Sequence, residues 1–188
     1  MTIAADPRTS LTPFVCTGDL YQVHGANGQL SRVDLSTSSF VNLGAGSGGS
    51  IGPAGYRVSD NLLYGLRRIG GGNFDTLVAV DSNGDVAILG PVDGLPAGGY
   101  NTGDFAGDGY LHIRQAGSTT GPIFRIDVDL RRVVSTYTLS PQIPGSFADF
   151  AYTPADDLIY TVPSGSNRLH SIDPDTGATV QVLSLIHI

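Results

Sequence analysis

The chain has 188 residues, of which 26 are glycine and 11 are proline, and it contains no Lys, Glu or Trp. Lys and Glu are good surface helix formers, so their absence argues against a helical protein, while the recurring Val, Ile, Leu and aromatic residues favour strands over disorder. Acidic residues outnumber basic ones by 17 to 10, and the resulting net charge of −7 argues against nucleic acid and anionic membrane as main partners.

The first predicted strands form an incomplete unit. Residues 1–13 are an N-terminal extension without the apolar segment of a signal peptide. Three strands follow it where a complete unit would have four. They are Asp19–Val23, Gln29–Asp34 and Phe40–Leu43.

Three complete units of four strands come next along the chain. Turn residues such as Asn83-Gly84 separate the strands, and an Asn-Gly pair between two apolar runs is a strong hairpin signal. No segment approaches the length of an apolar membrane span, so we expect no membrane insertion. The predicted strands are Ala54–Val58, Leu62–Arg68, Leu77–Asp81 and Asp85–Leu89; then Asn101–Ala106, Tyr110–Arg114, Ile123–Asp127 and Val133–Leu139; then Phe147–Thr153, Leu158–Val162, Arg168–Asp173 and Ala178–Leu183.

Two markers recur in step through these units. An apolar-x-x-apolar-Asp pattern ends at Asp34, Asp81, Asp127 and Asp173, at steps of 47, 46 and 46 residues, and Tyr64, His112 and Tyr160 are spaced 48 apart. A period of this length with four strands per unit is typical of a β-propeller blade. The sequence therefore predicts an all-β fold: a β-propeller of four-stranded antiparallel blades, about four of them present, at residues 14–45, 50–92, 99–141 and 146–183.

The missing first strand bears on ring closure. Propellers commonly close by letting the far end of the chain supply one strand of the first blade, but only the tail 184–188 follows the last predicted strand. The end Leu183–Ile188 also resembles the translation of a sequencing adapter found at the ends of truncated reading frames. We therefore expect a fragment, a partial propeller or open arc, whose partners include the remaining blades of a longer chain.

Several segments resemble one propeller family. Leu20-Tyr21-Gln22-Val23, Asn61-Leu62-Leu63-Tyr64 and Ile172–Gly177 resemble blades of a propeller domain of unknown function in large secreted or surface proteins of bacteria and some microbial eukaryotes. This domain is similar to the YVTN and NHL propellers. The phrase Phe14–Tyr21 resembles its usual opening, so the resemblance covers residues 14–183. It implies about six blades and a secreted or cell-surface location.

The acidic motifs have a structural and a functional interpretation. The periodic aspartates favour Asx turns, in which each carboxylate accepts hydrogen bonds from the backbone of the following hairpin. Pairs such as Asp127/Asp129 and Asp173/Asp175 would otherwise supply metal ligands. Asp104–Gly109 resembles the calcium loop of integrin-type propellers and Asp81–Asp85 part of an EF-hand loop, but neither supplies the full set of oxygen ligands.

The remaining motifs favour structural roles as well. The glycine-rich run Gly44–Gly52 fits dinucleotide and nucleophile-elbow patterns, yet no helix can follow it. We expect Cys16 to be a small buried residue and the strand histidines to be satisfied in the fold. The aromatic residues recur in phase, which predicts packing between blades. The residues concerned are His24, His112, His170 and His187, and Tyr21, Tyr56, Tyr64, Phe105, Phe150, Tyr152 and Tyr160.

These patterns favour a binding function over an enzymatic one. The sequence assigns no catalytic, cofactor-binding or metal-binding residue and no cofactor. We expect a non-enzymatic interaction or display module whose ligand is a protein or carbohydrate, because propellers present loops on a rigid scaffold. The alternatives are a lactonase- or lyase-like propeller enzyme and a calcium-dependent adhesion domain that uses Asp104 and Asp108.

Overall fold

The structure is a computed structural model that describes residues 5–184, and strands dominate it. A short 3₁₀ helix, Pro7–Ser10, precedes the first strand. The strands are β1 Leu20–His24, β2 Gln29–Asp34, β3 Ser39–Leu43, β4 Ser50–Arg57, β5 Leu62–Arg68, β6 Thr76–Val80, β7 Val86–Pro91, β8 Tyr100–Phe105, β9 Leu111–Gln115, β10 Ile123–Asp127, β11 Arg132–Tyr137, β12 Phe147–Thr153, β13 Leu158–Pro163, β14 Arg168–Ile172 and β15 Thr179–Ser184.

These strands form four consecutive antiparallel sheets, each of them one propeller blade. Blade 1 contains β1–β3, and blades 2, 3 and 4 contain β4–β7, β8–β11 and β12–β15, with neighbouring strands paired in chain order. The first strands of the complete blades are the inner strands, and β8 contacts both β4 and β12. The predicted all-β fold with four-stranded propeller blades is confirmed, and so is the shortage of one strand in blade 1 among the described residues.

The strand bounds agree with prediction within a few residues, with one larger difference. β4 begins at Ser50, whereas the sequence placed its start at Ala54. The ladder between β4 and β5 is interrupted between Ile51 and Ala54 and then resumes, so the end of the glycine-rich segment, from Ser50, forms the bulged start of β4. β15 ends at Ser184, and the rest of the predicted tail lies outside the described residues.

Hydrophobic clusters lie between blades. The largest joins blade 2 to blade 3, where Tyr64 and Leu66 of β5 face Leu111 and Ile113 of β9, all fully buried. A second cluster joins β10 and β11 of blade 3 to β12–β14 of blade 4, and a third joins blade 1 to blade 2 around Phe14. Burial of apolar surface therefore stabilises contacts between consecutive blades.

The periodic aspartates close the hairpins that follow them. The Asp127 carboxylate accepts hydrogen bonds from the amides of Asp129 and Leu130, both at 2.9 Å, and Asp34 and Asp173 accept equivalent pairs. Asp81 accepts from the amides of Asn83 and Asp85, both at 2.9 Å. The predicted structural role of these aspartates is confirmed.

The N-terminal extension runs across the turns of blades 2 and 3. Arg8 forms an ion pair with Asp129 of blade 3. The Thr12 amide donates to Asp81 at 2.8 Å, and the Phe14 amide donates to the Asn61 carbonyl at 2.8 Å, both in blade 2. The extension thus links blades 2 and 3 before the chain enters β1.

Both ends of the blade series leave apolar side chains exposed. On the face of blade 4 that points away from blade 3, Val180 is 63% exposed, and Val162 and Val182 are also exposed. Leu20 and Phe40 are exposed on the face of blade 1 that points away from blade 2. Among the described residues, no hydrophobic cluster joins blade 4 to blade 1, which favours the expected open arc over a closed ring.

Because the Asp127 carboxylate caps the hairpin that follows it, its removal should lower the stability of the chain. Asp127→Ala should lower the free energy of unfolding by about 0.5–2 kcal/mol, because two backbone amides lose their acceptor. Urea denaturation measures the change. Asp93→Ala is the matched control, since the Asp93 side chain is exposed and forms no hydrogen bond with the described residues. Equal stability of the two variants would contradict the cap role.

The exposed end faces predict self-association. The isolated chain should form oligomers or aggregates, because two blade faces stay in water, and light scattering during size-exclusion chromatography measures their mass. Val180→Asp should reduce the association, whereas Ile69→Asp, in an exposed loop away from both end faces, should not. A cooperative monomer of 19.5 kDa would contradict the open arc.

Candidate functional site

One depression on the described residues, which we call the channel mouth, lies where the inner strands β4, β8 and β12 end. Its volume is about 570 Å³, and apolar surface dominates its lining. β4, β8 and β12 and the turns that follow them supply the walls, so three blades contribute to one site. Its lining includes Tyr56, Arg57, Val58, Asp104, Phe105 and Tyr152.

Three aromatic residues occupy equivalent positions around this mouth. Tyr56 is paired with Leu63, and Phe105 and Tyr152 hold the same register position in blades 3 and 4. The ring of Phe105 packs edge-on against Tyr64 of the preceding blade, with centroids 5.8 Å apart. Packing between blades, which the sequence predicted for this aromatic series, is confirmed for this pair.

In each inner strand, the residue immediately before this aromatic residue has a short side chain, because neighbouring inner strands approach closely. A Cβ on Gly55 would lie 2.8 Å from the Cα of Asp104, which is too close for any larger residue without movement of the backbone. Gly55, Asp104 and Ala151 hold equivalent positions in the three ladders. The channel wall therefore depends on short side chains at this level.

Asp104 links the inner strands of blades 3 and 4. Its Oδ2 accepts a hydrogen bond from the Tyr152 amide of β12 at 2.9 Å, and its Oδ1 accepts one from the Phe105 amide at 2.9 Å. The pKa of Asp104 is raised to about 6, mainly by burial and in smaller part by the nearby Asp149 carboxylate, although both amides favour the ionised form. Desolvation also raises the pKa of the Asp149 carboxyl.

A charged cluster borders the mouth between blades 2 and 3. Arg57 binds Asp60 at 2.5 Å and Asp129 of blade 3 at 2.9 Å, and its guanidinium lies over the Tyr64 ring, 4.6 Å from the centroid. The Tyr64 hydroxyl donates to Asp60, and burial raises the pKa of Tyr64 to about 12. Arg8 adds a second cation to Asp129. The cluster fixes the turn of one blade against the next.

An equivalent cluster joins blades 3 and 4. His112 Nε2 lies 3.0 Å from the Asp108 carboxylate, and His112 Nδ1 lies 3.0 Å from the Tyr137 hydroxyl. Arg125 lies over the Tyr137 ring and 3.6 Å from Asp175 of blade 4. His112 is fully buried, whereas the Asp108 side chain is partly exposed.

The sequence candidates fall at separate places. Asp104 lies in the channel wall and Asp108 in the cluster between blades 3 and 4, and within residues 5–184 no three His, Cys, Asp or Glu side chains group as metal ligands. His24 contacts the Ser31 hydroxyl at 2.8 Å, as expected for a satisfied histidine. His187 lies outside the described residues. No helix within residues 5–184 is long and apolar enough to cross a membrane.

The expectation that Cys16 is buried is wrong. Cys16 is exposed, because the turn before β1 has no inner strand beside it.

Sequence reasoning also missed the roles of Arg8 and Arg57. An arginine three residues before Asp60 is a weak local signal, and no pattern connects Arg8 to Asp129.

Comparison with solved structures places the chain among propeller proteins. It matches glutaminyl cyclase from Myxococcus xanthus at 18% identity with a TM-score of 0.61, over 87% of this chain and 65% of that one. It matches virginiamycin B lyase from Staphylococcus aureus at 14% identity and a TM-score of 0.54, over 90% and 53%. YCF48 bound to a D1 peptide matches at 17% identity and a TM-score of 0.55, over 97% and 57%.

These likenesses show the fold alone, and the chain spans less than two thirds of each of these solved chains. No curated protein matches the sequence. A described family does match it: the pattern of the repeat of unknown function DUF6923 covers residues 20–187. The chain therefore belongs to the DUF6923 family of repeats of unknown function.

Proposed function

We propose that the chain is a non-enzymatic interaction module of a secreted or cell-surface protein and that it binds a protein or carbohydrate ligand at the channel mouth. The observation that carries this proposal is the depression of about 570 Å³ built from three blades. Its size falls within the range of small-ligand sites, and its apolar lining with a few polar groups is typical of such sites.

The tyrosines of the mouth are held in place by their own blades. The Tyr56 hydroxyl donates to Asn61 at 2.5 Å, and the Tyr152 hydroxyl donates to Asp157 at 2.6 Å. Fixed rings lose little conformational entropy on binding, which favours contact with a sugar face or an apolar peptide side chain. YCF48 in complex with a peptide is a precedent for binding by a similar fold.

A propeller enzyme is the second candidate. The raised pKa of Asp104 favours it, because a carboxyl that titrates near neutral pH suits general acid–base catalysis. Two of the structural neighbours are a cyclase and a lyase. The binding role is better supported, because both oxygens of Asp104 accept backbone hydrogen bonds that belong to the channel wall.

The calcium-dependent alternative has less support from geometry. Asp104 accepts from backbone amides of two strands, and Asp108 faces His112 at 3.0 Å. Calcium requires about six or more oxygen ligands, and these two carboxylates serve different contacts. The secreted or surface location rests on the resemblance to surface-protein propellers.

The binding proposal predicts that filling the depression abolishes ligand binding. Ligands are first selected with the wild-type chain on oligosaccharide and peptide arrays. Val58→Trp places a large ring at an exposed position on the wall and should weaken binding by about tenfold or more, equivalent to 1.4 kcal/mol, at unchanged melting temperature. Ile69→Trp, exposed in a loop that does not line the depression, should bind normally. Equal binding by both variants would contradict the proposal.

The burial of Asp104 in the channel wall predicts that the free energy of unfolding depends on pH. Its folded pKa of about 6 exceeds the ordinary value of 3.8, so the native state binds the proton more tightly and stability rises as pH falls from about 7 towards 5. Wild type should gain about 1 kcal/mol relative to Asp104→Asn over this range. Urea denaturation at several pH values measures the difference. A stability difference between wild type and Asp104→Asn that does not change with pH would contradict the channel-wall role. If Asp104→Asn in addition abolishes turnover of a lactone or ester panel, Asp104 is catalytic.

A further inference from the structure

Arg114 lies in β9 of blade 3 and is buried without a hydrogen-bond partner among the described residues. Only 1% of its surface is exposed, and its Nε, Nη1 and Nη2 atoms all lack an acceptor within residues 5–184. A guanidinium carries five N–H donors and keeps its positive charge in proteins. Desolvation lowers the pKa of Arg114, and the burial of a charge without a partner is strongly unfavourable.

The other arginines between blades have acidic partners. Arg57 contacts two carboxylates and Arg125 contacts two more, at distances of 2.5–3.6 Å. Arg114 instead lies over the ring of Phe147 in blade 4, 4.0 Å from the centroid. A ring face attracts a cation, but it does not supply in-plane acceptors for five N–H groups.

The packing of one blade on the next does not require an arginine at this position. The corresponding residue of blade 2 is Leu66, and the residue that corresponds to Phe147 is Tyr100. Leu66 and Tyr100 are both fully buried in the hydrophobic cluster between blades 2 and 3. An apolar side chain therefore suffices for packing, and the guanidinium of Arg114 points to a further role.

The nearby backbone does not supply the acceptor. The Phe147 carbonyl accepts a hydrogen bond from the Asn101 amide group at 2.9 Å and another from the Thr102 hydroxyl at 3.2 Å. A carbonyl oxygen has two lone pairs, and these two donors use both of them. Because Arg114 is fully buried, a group that meets its N–H donors must also be small.

We propose that Arg114 binds a small inorganic anion, of the size of chloride, between blades 3 and 4. The anion accepts charge-assisted hydrogen bonds from the guanidinium and neutralises it. Water would accept the same hydrogen bonds but would leave the buried charge uncompensated, so an anion is favoured. The site is separate from the channel mouth, because Arg114 is paired with Thr102, whereas the mouth lies where β8 ends at Phe105.

Urea denaturation of the whole chain near neutral pH tests the proposal, with chloride exchanged for gluconate at constant ionic strength. Gluconate is too large to replace chloride at a buried site. Arg114→Leu removes the guanidinium and copies Leu66 of blade 2. Arg132→Leu is the matched control, since it makes the same change at an exposed arginine.

The unfolding equilibrium constant of the wild type should fall at least about threefold between about 10 and 500 mM chloride, which is the change that a Kd of about 0.2 M or tighter produces. Arg132→Leu should show the same dependence on chloride, and Arg114→Leu should show none. A wild-type stability that does not depend on chloride would overturn the proposal. Equal dependence in wild type and Arg114→Leu would also overturn it, because it would indicate an adventitious ion only.

If Arg114→Leu does not fold, the wild type alone still decides the question. In crystals grown with bromide, anomalous diffraction should place a bromide ion against the Arg114 guanidinium between blades 3 and 4. Bromide at other positions alone, or water at the guanidinium, would overturn the proposal. Ligand binding at the channel mouth does not enter either measurement, so its failure would be seen separately.

Discussion

Burial of apolar side chains between consecutive blades is the interaction on which the rest of this structure depends. A single four-stranded sheet has two faces and no interior, so each blade is stabilised by its neighbours. The clusters between blades 1 and 2, 2 and 3, and 3 and 4 provide this burial. The same dependence leaves the outer faces of blades 1 and 4 exposed, since the described residues include no further blade to cover them.

Polar groups set the positions of the blades after burial has brought them together. The periodic aspartates close hairpins inside blades, whereas Arg57 and Arg125 reach acidic turns of the next blade. Asp104 performs a similar task at the centre, where it joins two inner strands by accepting an amide hydrogen bond. These contacts set the shape of the depression at the channel mouth.

The fold was predictable because its signals are local and repeated. Alternating strands, turn residues and the aspartate period specify blades without knowledge of long-range contacts, and the cap role of Asp127 follows from its place at a strand end. The start of β4 at Ser50 was not predictable, because a bulge lets the end of the glycine-rich run Gly44–Gly52 join the ladder. Arg114 was not predictable either. It is fully buried, with its guanidinium over the Phe147 ring at 4.0 Å, a contact that depends on how two blades meet.

Native-state hydrogen exchange across the whole chain tests most directly the claim that neighbouring blades stabilise one another in an open series. Local stability follows the burial available to each unit, so amides of β5, β6, β9 and β10, in blades packed on both faces, should exchange most slowly. Amides of β1–β3 and β13–β15, in blades packed on one face, should exchange faster. Uniform protection across all four blades would contradict the account and indicate that the ring is closed.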